Sequence, residues 1–496
     1  MKSCLLHAFL LLLCWAAPAV AGEAEEAACI AAPSEDCIVA MFLDTAASRE
    51  DIYFHIAGYA DLGRAYSEAG RVDESRRYFE LALQLAESST DPKLRTRAFV
   101  TIGRQQGWGG DWPAAMETLR RVPDSLANRP PYDFYAAHLA DIGEFEFAFE
   151  AASRLPYPQP RLDYLRHLAQ RQAEADDIDA AWKSFWAMLP GDVTSIQDVE
   201  RHFADRPEGL PVNIFVALGA IAAAEVRAGD LDSALMLERL PHKAWSAPFQ
   251  GIAAQIAGAL AETGKVDEAL TMATAIESIV ERQNAFEMIF DVLAENSEWK
   301  RAKEVAPMID AHARSFEAVL RLAELQAENG DLPGAISTYD TVMKGSTLFF
   351  RHLAEKQLEA TRLAIAGALI HRGDRDTAEH YYDQVLMGLQ WRNIDRQVRP
   401  LFSYREILDL VGRVATARYK AGDAEGAAAL VDEAVAFSDR DRMAKSQQED
   451  VVGRLVSIQC QTGLFTAALK TAATAKSQSG RIDALSCTLR GVLTGQ

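Results

Sequence analysis

The sequence is short of positive charge: across 496 residues, 51 Lys and Arg stand against 71 Asp and Glu, a net of −20. Such a surface repels phosphate backbones overall, which argues against nucleic acid as a partner. The motifs of common chemistry are missing too. No GxSxG, CxxC or GxGxxG occurs, so nucleophilic, thiol-redox and dinucleotide chemistry lack a starting point. "GALAETGKV" (258–266) superficially resembles a phosphate loop, yet it has five residues between its glycines and Val266 where a magnesium-binding hydroxyl is needed. His371 and His380 show no HExxH pattern and have no third ligand beside them. No catalytic residue, metal or cofactor is expected, and the chain reads as a non-enzyme.

Long apolar runs are confined to the first residues. Lys2, the apolar stretch "LLHAFLLLLCWAA" (5–17) and Ala19-Val20-Ala21 make residues 1–21 a secretory signal peptide. The alternative, a membrane anchor, needs about 20 apolar residues, and this run is shorter. Neither Cys14 nor Cys29 has the context of a lipid-attachment cysteine. Four cysteines survive cleavage: Cys29, Cys37, Cys460 and Cys487. An even number in an exported protein points to disulfides, Cys29 with Cys37 and Cys460 with Cys487, the alternative being four unpaired thiols. Pro33 and Ser34 read as a turn and N-cap for a helix running to about Ser48, so residues 22–49 form an N-terminal segment with a capping helix.

What the sequence does contain is a rhythm. Gly70 lies between two helix-forming stretches with Ser75 five residues later, and this layout returns along the chain. It recurs at Gly110/Ala115, Gly143/Ala148, Asp176/Ala181, Gly229/Ala234, Gly264/Ala269, Ser297/Ala302, Gly330/Ala335, Gly373/Ala378, Gly422/Ala427 and Gly463/Ala468. Successive spacings are 40, 33, 33, 53, 35, 33, 33, 43, 49 and 41 residues, so the base period is 33–35 with insertions. Each unit reads as a helical hairpin. The glycine takes the left-handed conformation that ends the first helix, "GD" or "GRVD" caps the second, and the small residue one turn on lets the two helices approach.

This pattern resembles the tetratricopeptide repeat. The first unit carries Leu62, Gly63, Tyr66, Gly70, Ser75, Phe79 and Ala82; the eighth carries Leu322, Ala323, Gly330, Ala335 and Tyr339; the tenth carries Ala415, Gly422, Ala427 and Ala434. The resemblance covers roughly residues 50–475, with insertions near 189–213, holding a short helix around "SIQDVERHF", and near 389–406. Residues 476–496 read as a helix capping the last hairpin. The implied fold is all-α, a right-handed α-solenoid (superhelix) of about eleven such hairpins.

In that family the residue six before each turn points into a groove. Here the column is basic at Arg64 and Arg104, with Arg97 and Arg166 on the same face, and acidic at Asp291 and Glu324, flanked by Glu287, Glu317 and Glu328. Ala223 and Gly258 imply a narrow middle suited to an extended peptide. No asparagine occupies the column, so a clamp for a partner's terminal carboxylate is not expected. The function read from these residues is a protein–protein interaction scaffold or adaptor, periplasmic in a Gram-negative bacterium. The second reading is a glycan- or peptidoglycan-binding accessory protein, for which Trp108, Trp112, Trp182, Trp186, Trp245 and Trp391 are the candidate stacking residues; Trp182 and Trp186 are better explained as one packed helix face.

Overall fold

The computed structural model describes residues 23–47, 51–122, 133–155, 158–189, 191, 193, 195–203, 212–240, 251–309, 313–345, 354–386, 404–438, 445–474 and 478–495. The expected signal peptide, Trp245, Trp391 and residues 389–403 of the second insertion lie outside them. The helices, in chain order, are α1 (Glu23–Ala31), α2 (Glu35–Ala47), α3 (Ile52–Glu68), α4 (Val72–Ser88), α5 (Pro92–Trp108), α6 (Trp112–Leu119), α7 (Asp133–Asp141), α8 (Phe145–Ser153), α9 (Pro158–Glu174), α10 (Ile178–Trp186), α11 (Ile196–Phe203), α12 (Val212–Arg227), α13 (Leu231–Glu238) and α14 (Ile252–Glu262). They continue as α15 (Val266–Ala275), α16 (Ile279–Glu295), α17 (Trp299–Val305), α18 (Ala313–Glu328), α19 (Leu332–Gly345), α20 (Glu355–His371), α21 (Arg375–Leu386), α22 (Tyr404–Lys420), α23 (Ala424–Ser438), α24 (Lys445–Gln461), α25 (Phe465–Thr474) and α26 (Gln478–Thr494). No strand occurs among the described residues.

The turns fall where the rhythm puts them. All eleven turn residues have positive φ: nine glycines between +70° and +91°, Asp176 at +59° and Ser297 at +61°. In each, the next residue donates its N–H to the carbonyl four before the turn at 2.8–3.0 Å, as Arg71 does to Tyr66 and Asp331 to Gln326. This Schellman closure uses carbonyls that a helix end would otherwise leave without partners. The residue five after each turn is buried in every unit, Ser75 at 6% exposure and the ten alanines at 1% or less.

Capping of the second helix differs from the expectation. An aspartate directly after the turn accepts the N–H three residues on, as Asp111 does from Ala114, Asp177 from Ala180, Asp230 from Ser233, Asp331 from Gly334, Asp374 from Thr377 and Asp423 from Gly426. In the "GRVD" form the cap position is Arg71, which makes no side-chain cap, and Asp73 only sits in the first turn. A second recurring contact locks three hairpins internally. Thr118, Ser184 and Thr338 donate to Gln106, Gln172 and Gln326, twelve residues earlier, at 2.7, 2.7 and 2.8 Å. All six residues are buried, where such a bond replaces water that cannot enter.

The chain forms two compact units, residues 1–127 with 383–496, and residues 128–382. The first therefore contains both ends of the chain. Its last helix, α26, covers α24 and α25 as a cap would, and it also packs on α2 and α3. One core joins them: Cys29, Ile38, Met41, Phe42, Leu62, Ala65 and Tyr66 from the N-terminal side meet Leu469, Leu485 and Leu489 from the C-terminal side. Arg490 pairs with Glu68 at 2.6 Å and Arg481 with Glu26 at 2.8 Å. The structure brings Cys29 and Cys37 to bonding distance, their Cα atoms 5.9 Å apart, and likewise Cys460 and Cys487 at 6.0 Å. In the second unit, first helices pack in succession, α12 on α14, α14 on α16 and α18 on α20. The first insertion holds the short helix α11, with Ser195 accepting the N–H of Asp198 at 3.2 Å as its cap.

Candidate functional site

Helices α3 and α5, the first helices of the first two hairpins, pack side by side, and α26 lies against α3. Spacings of three and four residues put Tyr53, Asp61, Arg64 and Glu68 on one face of α3, and Arg97, Thr101, Arg104, Gln105 and Trp108 on one face of α5. Tyr53 and Thr101 tie the helices through their hydroxyls at 3.0 Å. Two guanidiniums lie over the Trp108 ring, that of Arg64 at 5.0 Å and that of Arg104 at 5.1 Å from its centre. Arg97 lies over the Tyr53 ring at 3.7 Å. Cations over ring faces are attracted by the ring quadrupole and still present their N–H groups outward.

The arginines differ in what else they hold. Arg64 donates to Glu68 at 2.6 Å, and Glu68 also takes Arg490 from α26. Arg97 and Arg104 have no ion pair or hydrogen bond among the described residues, and Nε of Arg104 is buried without an acceptor. At the centre lies Asp61, which accepts a hydrogen bond from the buried Gln105. Burial pushes the Asp61 carboxyl up to about 7; Asp483 on α26 adds to the rise, while Arg64, Arg104 and Gln105 pull against it. Burial also raises Asp483, opposed by Arg64 and Arg490. The face is thus not uniformly basic: Asp61 and Asp483 both lie among its arginines.

Of the residues expected in the groove, the structure brings together Arg64, Arg97 and Arg104. Arg166 belongs to the second unit, where it donates to Gln170 at 3.4 Å. Asp291 and Glu324, on α16 and α18, also belong to that unit. Asp291 meets Arg321 at 3.4 Å, and its carboxyl is pushed up to about 6, mainly by burial, with Glu287 and Glu295 adding. Glu324 accepts from Gln357 at 2.5 Å and is raised by burial. Two residues of the column do not line an open groove. Ala223 and Gly258 are buried between successive first helices, and a Cβ at Gly258 would lie 2.6 Å from the Met288 methyl. Asp61, Asp483 and Arg490 escaped the sequence reading; the signal on α3 was the spacing of Asp61 three residues before Arg64.

Trp112 is buried, and Trp182 and Trp186 stack on each other at 5.3 Å, as one packed helix face requires. Among the described residues no three His, Cys, Asp or Glu are grouped to hold a metal ion, and no helix is long and apolar enough to cross a membrane.

A family model described as tetratricopeptide repeat matches residues 59–93, the stretch that carries Gly70 and runs into α5. No curated protein matches the chain in sequence. Among solved structures, the pentatricopeptide repeat protein PPR10 in complex with an 18-nt psaJ RNA element is 13% identical over 82% of this chain and 65% of its own length, at a TM-score of 0.29. The IFIT1 monomeric mutant with Gppp-AAAA is 11% identical over 83% and 93%, at 0.25, and Ton1535 from Thermococcus onnurineus NA1 is 13% identical over 86% and 98%, at 0.20. Superpositions this loose say nothing of what this chain binds. With left-handed turns at every beat the described residues form a helical repeat, and its first unit, residues 59–93, matches the tetratricopeptide repeat model.

Proposed function

We propose that this chain is a non-enzymatic protein-interaction scaffold of the cell envelope, which binds an extended partner segment on the first-helix face of its repeats. The observation that supports this most is the α3–α5 face, where Arg97 and Arg104 rest on aromatic rings and form no ion pair among the described residues. Cations held in place without partners lose little side-chain entropy when a ligand arrives, and Trp and Arg are the residue types that dominate binding energy at interfaces. The N-terminal sequence supports export to the periplasm, and two disulfides, Cys29–Cys37 and Cys460–Cys487, follow from that location together with the geometry of the pairs.

The test is chemical crosslinking of the tagged protein in the native envelope fraction, followed by mass spectrometry. A defined protein partner, lost with Arg64→Glu plus Arg104→Glu, supports the scaffold reading. Retention on isolated peptidoglycan alone overturns it in favour of the glycan-binding alternative. Alkylation of the non-reduced, denatured protein tests the bridges separately, and recovery of four free thiols would refute them.

A further inference from the structure

We propose that the face formed by α3, α5 and α26 is a pH-gated site for an acidic peptide segment, with Arg97 and Arg104 as anchors, Trp108 as its wall and Asp61 as an internal competitor. This rests on the scaffold reading and adds the partner's chemistry and its control.

The anchors stand seven residues apart on one helix face, about 10 Å along the axis at 1.5 Å per residue. An extended strand advances about 3.3 Å per residue, so carboxylates about three residues apart reach both guanidiniums. Arg104 is already partly removed from water, its Nε buried without an acceptor. A carboxylate arriving at the accessible N–H groups of that guanidinium gains the strength of a charge-assisted bond. Trp108, packed against Arg64 and Arg104, adds an aromatic side chain beside them.

The gate is the carboxyl already inside the site. From α3, Arg64 faces Asp61; from α5, Arg104 and Gln105; from α26, Asp483, with Arg490 beside Asp483. On the other helices packed on α3, Glu35 of α2 accepts from Tyr66 at 2.8 Å and Glu74 of α4 binds Arg71, and no charged group of either helix is among those acting most strongly on Asp61. When Asp61 is protonated, the positive field of Arg64 and Arg104 is open to an incoming carboxylate. When it ionises, it takes up that field from inside and adds repulsion toward the ligand. Its carboxyl, raised by burial to about 7, ionises within the range where the ligand's own carboxylates stay charged, so affinity is lost as pH rises through about 7. Linkage requires the converse, that the bound acidic segment raises Asp61 further.

The experiment uses the full chain and fluorescein-labelled hexaglutamate, with anisotropy titrations at fixed ionic strength at pH 6.0 and 8.5. The expected result is about tenfold tighter binding at pH 6.0, the equivalent of one unit of coupled pKa shift. Asp61→Asn should lose most of the pH dependence and bind near the wild-type affinity at pH 6.0. Arg97→Ala plus Arg104→Ala should weaken binding about tenfold or more at pH 6.0, with an unchanged far-ultraviolet circular dichroism spectrum. No binding of hexaglutamate at pH 6.0, the same pH dependence in Asp61→Asn, or tighter binding of hexauridylate than of hexaglutamate would each overturn the proposal. Capture of a protein partner by crosslinking would leave the scaffold reading standing in all three cases, so the two fail separately.

Discussion

Replacing Gly264 by alanine isolates the conformational requirement of a repeat turn from every packing effect. Gly264 has φ of +79°, and a Cβ built there meets nothing within 4 Å. The only penalty is therefore the left-handed backbone, about 1–2 kcal/mol for an L-residue. Alanine also restricts the unfolded chain, which offsets about 0.4–1 kcal/mol, leaving a net loss of about 1 kcal/mol. Ser297 is the mirror experiment: it already carries φ of +61°, and Ser297→Gly should gain about 0.5–1 kcal/mol by the same arithmetic. Gly345, at the end of α19 with open space around its Cβ and no positive φ, is the control, and Gly345→Ala should be neutral or slightly stabilising. Native-state hydrogen exchange of α14 to α19 reads these differences locally, which matters because repeats open unit by unit. Equal changes for Gly264→Ala and Gly345→Ala, or a loss of stability for Ser297→Gly, would refute the turn argument.

Thr338→Val should cost about 1–3 kcal/mol, because it removes the hydroxyl bonded to buried Gln326, and Thr338→Val with Gln326→Leu should recover part of that loss; urea unfolding followed by circular dichroism checks both. Leu489→Ala, in the core shared by the two chain ends, should cost about 2–5 kcal/mol and speed hydrogen exchange in α2, more than four hundred residues away in sequence. Asp291 titrates above its unfolded value, so its contribution to stability is complete below about 3.8 and is lost as pH rises through about 6. Asp291→Asn should therefore flatten the fall in urea midpoint between pH 5 and 7.5, and an unchanged slope would count against a buried, titrating Asp291.

The repeat was legible because its determinants are local. A left-handed residue and a small residue five positions on, joined in six units by an aspartate cap, act within a few residues, so each unit spells out its own turn. Asp176 and Ser297 show that the position, not glycine itself, carries the pattern: both keep the left-handed turn despite a side chain. The glutamine and hydroxyl pairs twelve residues apart were legible in principle as two more columns, but they lie inside the hairpin and interrupt no periodicity.

By itself, the sequence determined the helices, their turns, the buried small residues and the cysteines close enough in sequence to pair. The Arg64–Glu68 pair, four residues apart on α3, is local; only the tertiary structure decided that Arg64 also meets Trp108 of α5, that Glu68 is shared with Arg490, and that Asp61 shares its surroundings with Asp483. The tertiary structure also decided that α26 covers α2 and α3 as well as the last hairpin. Hydrophobic periodicity says which face of a helix is buried and is silent on what buries it. Glu68 and Arg490, 422 residues apart, meet through the folded chain and through no pattern that either segment contains.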